Sequence, residues 1–376
     1  MTETIHIIGA GIGGLTLALS LKQLGLTVQV MESAPAIKPV GAGIVMANNA
    51  MQVYDRLGIR SKIEAAGYRV SYMRITDAQF KELSTIDLAA FEQRYGVYNT
   101  AIHRADLQGI LAEELGFEHI SLGKRLVHIE KGDGHRLHFE DKTEATSQVL
   151  IGADGINSVV RKQLFPPSTL RDSGQICWRG ICNLDLSERY SQTALEAWGA
   201  GKRFGFVRLN SRQVYWYAVA QESAESADLL DLFKDFHRDT LDLISATPPE
   251  AVYFNRLFDL KPIHRWHLGT ACLIGDAAHA TTPNLGQGAC QAVEDAYVLG
   301  KLFAQGLPVE DVFQEYQAIR MKKAHQVVRT SWTIGKVSHW ENPLGIGIRN
   351  LVMKNLPVSV RHNQLKPLFE LALRDA

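Results

Sequence analysis

Cysteine is scarce in this 376-residue chain, with four in all: Cys177, Cys182, Cys272 and Cys290. No two stand as Cys-x-x-Cys and none joins histidines at zinc spacing, so neither a redox dithiol nor a metal centre is expected. No run approaches the ~20 apolar residues of a bilayer-spanning helix. No basic segment with a cleavable apolar stretch precedes the first strand. Excess charge is lacking too, since Lys+Arg and Asp+Glu stand at 40 each. That balance removes the overall electrostatic reason to bind nucleic acid or an acidic membrane, leaving only local patches. Repeats and low-complexity segments are missing as well. A soluble protein of the reducing cytoplasm is expected, with Cys272 a buried thiol in an apolar strand. With 46% hydrophobic and 21% charged residues, the composition is that of an ordinary globular chain with room for two domains.

What is present begins at the N-terminus. Ile5 to Ile8 reads as a short buried strand, and Gly13 to Leu24 as a helix with Leu17, Leu21 and Leu24 on one face. Gly25 stops that helix, and Thr27 to Met31 gives a second strand ending at Glu32. Between strand and helix, Gly9, Gly11 and Gly14 satisfy Gly-x-Gly-x-x-Gly. Gly9 permits the tight turn, Gly11 lets a pyrophosphate approach the backbone, and Gly14 lets helix pack on strand. Amides at the helix start, around Ile12 and Gly13, would face the phosphates. Glu32, 23 residues after Gly9, can accept from ribose hydroxyls, which favours FAD or NAD over a 2′-phosphorylated ligand.

Two further stretches repeat the theme. Val149 to Gly152 is a buried strand running into Asp154-Gly155, and Ala271 to Gly275 another running into Asp276. An acid at the carboxyl end of a strand is a ligand-facing position in open α/β sheets, although an isolated Asp-Gly is more often a plain turn. Asp276 needs partners that sugar or ribityl hydroxyls would supply. Pro283 to Gly288 then opens a helix from Ala289 to Phe303, whose positive end could stabilise negative charge on a reduced flavin ring.

The rest of the chain changes character. Residues 71–97 leave the nucleotide pattern, and His103 to Leu115 returns to a helix. Arg125 to Glu130 and Arg136 to Glu140 read as strands around a Gly132-Asp133-Gly134 turn. From Cys177 long β-prone stretches follow: Trp178 to Leu184, Arg203 to Leu209, Gln213 to Ala220 and Val252 to Leu260. A helix is expected over Ala227 to Ile244, with Leu229, Leu232, Phe233 and Phe236 on one face.

The ordered set GAGIGG…Glu32, HRADL, GADGINS and GDAAHATTPNLGQG resembles the single-component FAD-dependent aromatic hydroxylases, over the first ~330 residues. The resemblance is greatest to the urate hydroxylase and zeaxanthin epoxidase branch, through the segments around Trp178, Trp198 and Trp216. It implies an α/β fold: a Rossmann-like FAD-binding domain, an inserted, mostly antiparallel substrate sheet, and C-terminal helices. The corresponding segments are 1–70, 98–170 and 268–330 for FAD, 71–97 and 171–267 for the sheet, and 331–376 for the helices. It places FAD adenosine near Glu32 and Ser33, pyrophosphate near Gly11 to Gly14, and Arg104 and Leu126 beside the cofactor. Asp276 falls on the ribityl-pyrophosphate region, and Pro283, Gly286, Gly288 and Ala289 lie around the ring. Asp154 is a shared support for flavin and nicotinamide.

The implied reaction inserts one atom of O2 into a small aromatic or heteroaromatic substrate through a flavin C4a-hydroperoxide. The resemblance also implies NADH or NADPH as a transient reductant. The lack of a second glycine fingerprint separates the chain from flavoenzymes that bind a nicotinamide in a Rossmann domain of its own. The W-x-W-x-I-P signature of flavin halogenases is missing too. Water must be kept out and the substrate held over the flavin. Similarity to urate hydroxylase puts Arg203 on a substrate anion and Tyr215 on a ring heteroatom or phenol. Arg179 stands where a urate site has asparagine, which argues against urate itself. Arg179, Tyr217 and Pro283 complete the expected substrate contacts. Tyr215 and Tyr217 share one strand face and Trp216 takes the other, so the aromatics could line a cavity or form the sheet's own core. His279 is read as a structural member of its motif rather than a base. Ser331 to Ala376 reads as a pair of helices broken by Pro343 and Pro357, with a partner or membrane-surface role as the rarer alternative. Rival functions are a flavin-dependent reductase on the same scaffold and a non-catalytic FAD- or ligand-binding protein.

Overall fold

A computed structural model describes residues 4–37 and 42–373. Its nucleotide layer is a six-stranded sheet in the order 267–268, 271–273, 149–152, 5–8, 28–31, 120–121. Neighbours run parallel except the edge pair 267–268 with 271–273. Every residue of Ile5–Ile8 and Val149–Gly152 is buried. Strands covered on both faces read as apolar runs; Val149–Gly152 is one throughout, and Ile5–Ile8 is one apart from the buried His6. Helix Ile12–Gln23 links Ile5–Ile8 to Val28–Met31, giving the expected β-α-β unit. It packs against helix Gly288–Phe303 through small residues, since a Cβ on Gly13 would stand 2.9 Å from the Ala292 methyl.

A seven-stranded sheet forms the second layer, in the order 253–260, 170–183, 213–221, 202–208, 193–198, 72–77, 82–87. Only the pair 193–198 with 72–77 is parallel. Residues 71–97 and 171–267 thus contribute to one sheet. Its far face carries Trp178, Phe204, Phe206 and Trp216, packed on Phe233, Phe236 and Leu243. Trp216 Nε1 finds its partner there, donating to Thr247 Oγ1 at 2.7 Å. Most of the aromatic mass is therefore the sheet's own core. By strand alternation the near face is left to Arg179, Arg203, Tyr215 and Tyr217.

The helix expected over Ala227 to Ile244 is two helices, Leu229–Leu232 and Arg238–Ser245. Between them Phe233 and Phe236 turn into the core with rings 5.0 Å apart and edge-to-face. The second helix restarts at His237, whose Nδ1 accepts from the Asp239 amide at 3.2 Å. Burying both rings against the sheet outweighs the extra turn of helix that would join the two. Strand Thr193–Trp198 was not among the expected elements. Helix Val309–Ser338 runs through position 331, where the sequence places a boundary. Beyond it, Pro343 is the first residue of helix Pro343–Asn355 and Pro357 caps helix Val358–Phe369, the positions proline tolerates best. No helix among the described residues is long and apolar enough to cross a membrane.

Candidate active site

The three glycines of the first turn do different things. Gly9 has φ 107°, and a Cβ on it would stand 2.5 Å from the Ala153 carbonyl oxygen. A Cβ on Gly14 would overlap the Gly9 carbonyl oxygen. Gly11 is the opposite case, because a Cβ there meets nothing within 4 Å. The helix that follows, starting at the buried Ile12, has no side-chain cap and no acid in its first turn. Its first amides therefore stand unclaimed beside open space, ready for an anion. Glu32 is held at the mouth of this turn. Its Oε2 accepts from the Ala10 amide at 2.7 Å, and its Oε1 from the Ala34 amide at 2.8 Å and Ser33 Oγ at 3.1 Å. Arg104 begins helix Arg104–Leu115 with its side chain exposed. Leu126 is the buried first residue of strand Leu126–Gly132.

Asp154 is more than a turn residue. Its Oδ2 accepts from the Val159 and Val160 amides at 2.6 and 3.1 Å, at the start of helix Val159–Leu164, while the buried Oδ1 has no partner among the described residues. Burial pushes its pKa up, against the pull of the Ser158 and amide hydrogen bonds. Asp276 opens helix Asp276–His279 and is exposed. Desolvation raises its pKa, opposed by His279, Arg104 and Arg161. Arg161, which the sequence reading passed over, ties the two acidic loops together. It donates to the Ile156 and Ala277 carbonyls at 2.5 and 2.8 Å. An arginine seven residues after an Asp that follows an apolar strand was the available signal.

Pro283–Leu285 forms a single 3-10 turn, closed by Gly286 in the left-handed conformation at φ 61°. Helix Gly288–Phe303 then starts without a side-chain cap, a second set of unclaimed amides, with Ala289 in its first turn. Under this helix lies a buried charge network. Asp295 accepts from the Gly275 amide at 2.9 Å, from His279 Nε2 at 2.6 Å and from Arg320 Nε at 2.8 Å. Arg320 also donates to Glu294 at 2.7 Å, which Lys323 reaches at 2.8 Å. Burial works to raise the Asp295 pKa, but the charges of His279 and Arg320 prevail and hold it at about 2. His279 is thus committed to this network and bridges the Gly275 loop to the helix, as the structural reading expects.

Across from these loops, the near face of the second sheet presents the four expected polar side chains. Arg203 is 1% exposed. One guanidinium nitrogen donates to Glu196 Oε1 at 3.2 Å and the other to the Asn284 side-chain oxygen, while its Nε has no partner among the described residues. Tyr217 donates to the second Glu196 oxygen, its ring lying where a Cβ on Gly205 would be. Tyr215 rests on Gly43, where a Cβ would stand 2.5 Å from its own. Its ring centroid is 6.0 Å from that of Tyr217. The Tyr215 hydroxyl has no hydrogen-bond partner among the described residues. Burial, reinforced by the Cys177 thiol, raises its pKa, so it keeps its proton and can donate. Arg179 donates from one guanidinium nitrogen to Asn255 at 2.7 Å, its charge still acts on Tyr215, and its Nε has no partner among the described residues.

Glu196 and Asn284 are functional candidates that sequence reasoning missed. Glu196 is the carboxylate that gathers Arg203 and Tyr217, and Asn284 joins that group to the 283–288 turn. Asn284 is itself fixed by donating to Thr282 Oγ1 at 2.9 Å and the Ser331 carbonyl at 2.8 Å. The readable signal was an acid in an apolar strand paired opposite a glycine, Glu196 with Gly205.

Two uncapped helix starts, a carboxylate at a strand end and two acids short of partners fit an extended dinucleotide. The comparisons agree. Residues 1–331 match the family described as FAD binding domain. The chain is 36% identical to the aurachin C monooxygenase/isomerase of Stigmatella aurantiaca, covering 93% of this chain and 94% of that protein. It is 31% identical to the 2-heptyl-3-hydroxy-4(1H)-quinolone synthase of Pseudomonas aeruginosa, covering 97% of each. Among solved structures, Klebsiella pneumoniae HpxO complexed with FAD and uric acid superposes with TM-score 0.89 at 26% identity, covering 97% of this chain and 96% of that one. The chain belongs to the FAD-binding-domain family and, within it, to the FAD-dependent aromatic hydroxylases.

Proposed function

We propose that this monooxygenase hydroxylates a flat nitrogen heteroaromatic, with NADH or NADPH as reductant and O2 as oxygen source, on the near face of the seven-stranded sheet. One observation carries the reading. Among the described residues, Arg203 Nε and the Tyr215 hydroxyl both lack protein partners on the face turned toward the 283–288 turn. Donors of that kind recognise ring oxygens or an anionic heterocycle. One relative is named for making a hydroxyquinolone and another for hydroxylating urate, and the HpxO structure holds uric acid.

In this reading Gly11 to Gly14 take the FAD pyrophosphate on the amides of helix Ile12–Gln23. Glu32, with Ser33 beside it, accepts from the ribose. Asp276 accepts from the ribityl chain, with Asp154 and Arg161 fixing the loops behind it. Arg104 and Leu126 border the cofactor. The turn Pro283 to Gly288 and the amides around Ala289 hold the ring end. Bound FAD, once reduced, supplies the oxygen-activating chemistry. The protein's share is to orient the substrate and exclude water. Arg203 sets the substrate's orientation and cannot swing, since Glu196 and Asn284 hold both of its terminal nitrogens. Tyr215 donates its proton as a hydrogen bond without giving it up. Arg179, tied through one nitrogen to Asn255, completes the rim with Tyr217 and Pro283.

The same reading places the chain in a reducing cytoplasm, supported by four free thiols, all buried. The test is a panel of 4-quinolones, purines and hydroxybenzoates, each scored for stimulated NAD(P)H consumption and for hydroxylated product. A quinolone or purine should give product in near-equal amount to NAD(P)H consumed. Reduction of the substrate without O2 uptake would replace the monooxygenase with a reductase.

A further inference from the structure

Helix Pro343–Asn355 is mounted inside out. Leu344, Ile348, Leu351 and Val352 are 74, 54, 63 and 55% exposed. Their i, i+4, i+7, i+8 spacing puts them on one face, the pattern that a surface helix normally turns toward the core. The exposed stripe is not a loosely held end. Asn342 caps the helix, accepting from the Leu344 and Gly345 amides at 2.9 and 3.3 Å. The opposite face is anchored by the buried Arg349, which donates to the Ser338 carbonyl at 3.1 Å and lies 5.2 Å over the Trp198 ring. Val358, 61% exposed, extends the apolar surface into the next helix. Trp340, 42% exposed, stands at its edge, the place that an amphipathic indole takes at a lipid–water boundary.

Charge points to the occupant. From Asn342 to Phe369 there is no Asp or Glu, whereas Arg349, Lys354, Arg361 and Lys366 are present. This asymmetry stands out in a chain with 40 charges of each sign. Lys354 and Lys366 are exposed. An apolar stripe beside unopposed cations is the composition of a helix that lies in a bilayer interface. We propose that the chain docks on an anionic lipid bilayer through the outer face of helix Pro343–Asn355, with Lys354 and Lys366 toward the headgroups. The inner face of the same helix rests through Arg349 on Trp198, next to the Glu196–Arg203 cluster, so docking seats the bilayer over the roof of the substrate face. The proposal stands independently of which heterocycle is the substrate.

The test uses the full FAD-loaded chain and sedimentable vesicles of phosphatidylcholine, with or without about a third phosphatidylglycerol. Binding to the phosphatidylglycerol vesicles should exceed binding to pure phosphatidylcholine at least tenfold. Ile348→Glu with Leu351→Glu should weaken it at least tenfold, while melting temperature and flavin content stay unchanged because both side chains face solvent. Lys354→Glu with Lys366→Glu should weaken it too and flatten its salt dependence. Failure to bind, equal binding to both vesicles, or binding untouched by either pair of substitutions would overturn the proposal. So would a dimer in sedimentation equilibrium that Ile348→Glu with Leu351→Glu dissolves, since a second copy would then cover the face.

Discussion

Replacing Gly11 by alanine separates folding from cofactor binding. Gly11 sits at φ −69° and ψ 174°, a conformation alanine adopts freely, and a Cβ there meets no protein atom within 4 Å. Stability of the apo-protein should change by no more than ~1 kcal/mol, the lower entropy of the unfolded chain offsetting a weaker N-cap. In the proposed placement of FAD, the new methyl stands instead where the phosphate approaches the helix amides. Losing two charge-assisted hydrogen bonds of ~1.5–3 kcal/mol each removes ~3–6 kcal/mol. At ~1.4 kcal/mol per decade, FAD should bind roughly 100- to 10,000-fold more weakly. The assay is titration of apo-protein with FAD, read by flavin fluorescence, beside thermal melts without FAD. Gly14→Ala provides the contrast. Its Cβ would overlap the Gly9 carbonyl oxygen, so the apo-protein itself should lose ~1–3 kcal/mol. A Gly11→Ala protein that keeps its FAD affinity within about threefold would refute the placement of the pyrophosphate there.

Four other outcomes are expected. Asp276→Ala should purify as folded, colourless protein, and retention of stoichiometric flavin would remove the ribityl assignment. Tyr215→Phe deletes a hydroxyl that bonds to no described protein atom, so melting should not move while substrate Kd rises about tenfold; an unchanged Kd contradicts the role. Arg320→Met leaves Asp295 and Glu294 buried without their shared cation, which should cost ~3–5 kcal/mol in a denaturant melt. Burial lowers the pKa of His325 to about 4 and that of His339 to about 3, from 6.5. Their neutral forms therefore contribute stability that is fully present above ~6.5 and lost as pH falls toward those lower values. Melting temperature should fall between pH 6.5 and 4, and less so in His325→Gln; a flat profile in the parent protein would contradict this.

Much of the architecture is legible because it is local. Gly9, Gly11, Gly14 and Glu32 report one turn and one strand end, and Asp154 and Asp276 report two more strand ends in the same sheet. What the sequence hides is set by partners distant along the chain. The break between Leu232 and Arg238 follows from two phenylalanines docking on a sheet that helical periodicity cannot see. Strand alternation separates Tyr215 from Trp216, yet only the assembled sheet decides which face looks at the nucleotide layer. Glu196 escapes notice because its meaning lies in Arg203 and Tyr217, brought to it by strand pairing, and Asn284 because it belongs to another layer altogether. Arg179 shows the same dependence, since its bond to Asn255 is made by strand pairing across more than seventy positions of chain.

The most direct test of the account is turnover of the best panel substrate under isotope-labelled O2 by the flavin-loaded protein and by Arg203→Gln. The parent protein should place one labelled oxygen in the product for each NAD(P)H oxidised. Arg203→Gln should keep its flavin yet oxidise NAD(P)H with little labelled product. Unlabelled product, or full coupling in Arg203→Gln, would contradict oxygen transfer on the Arg203 face.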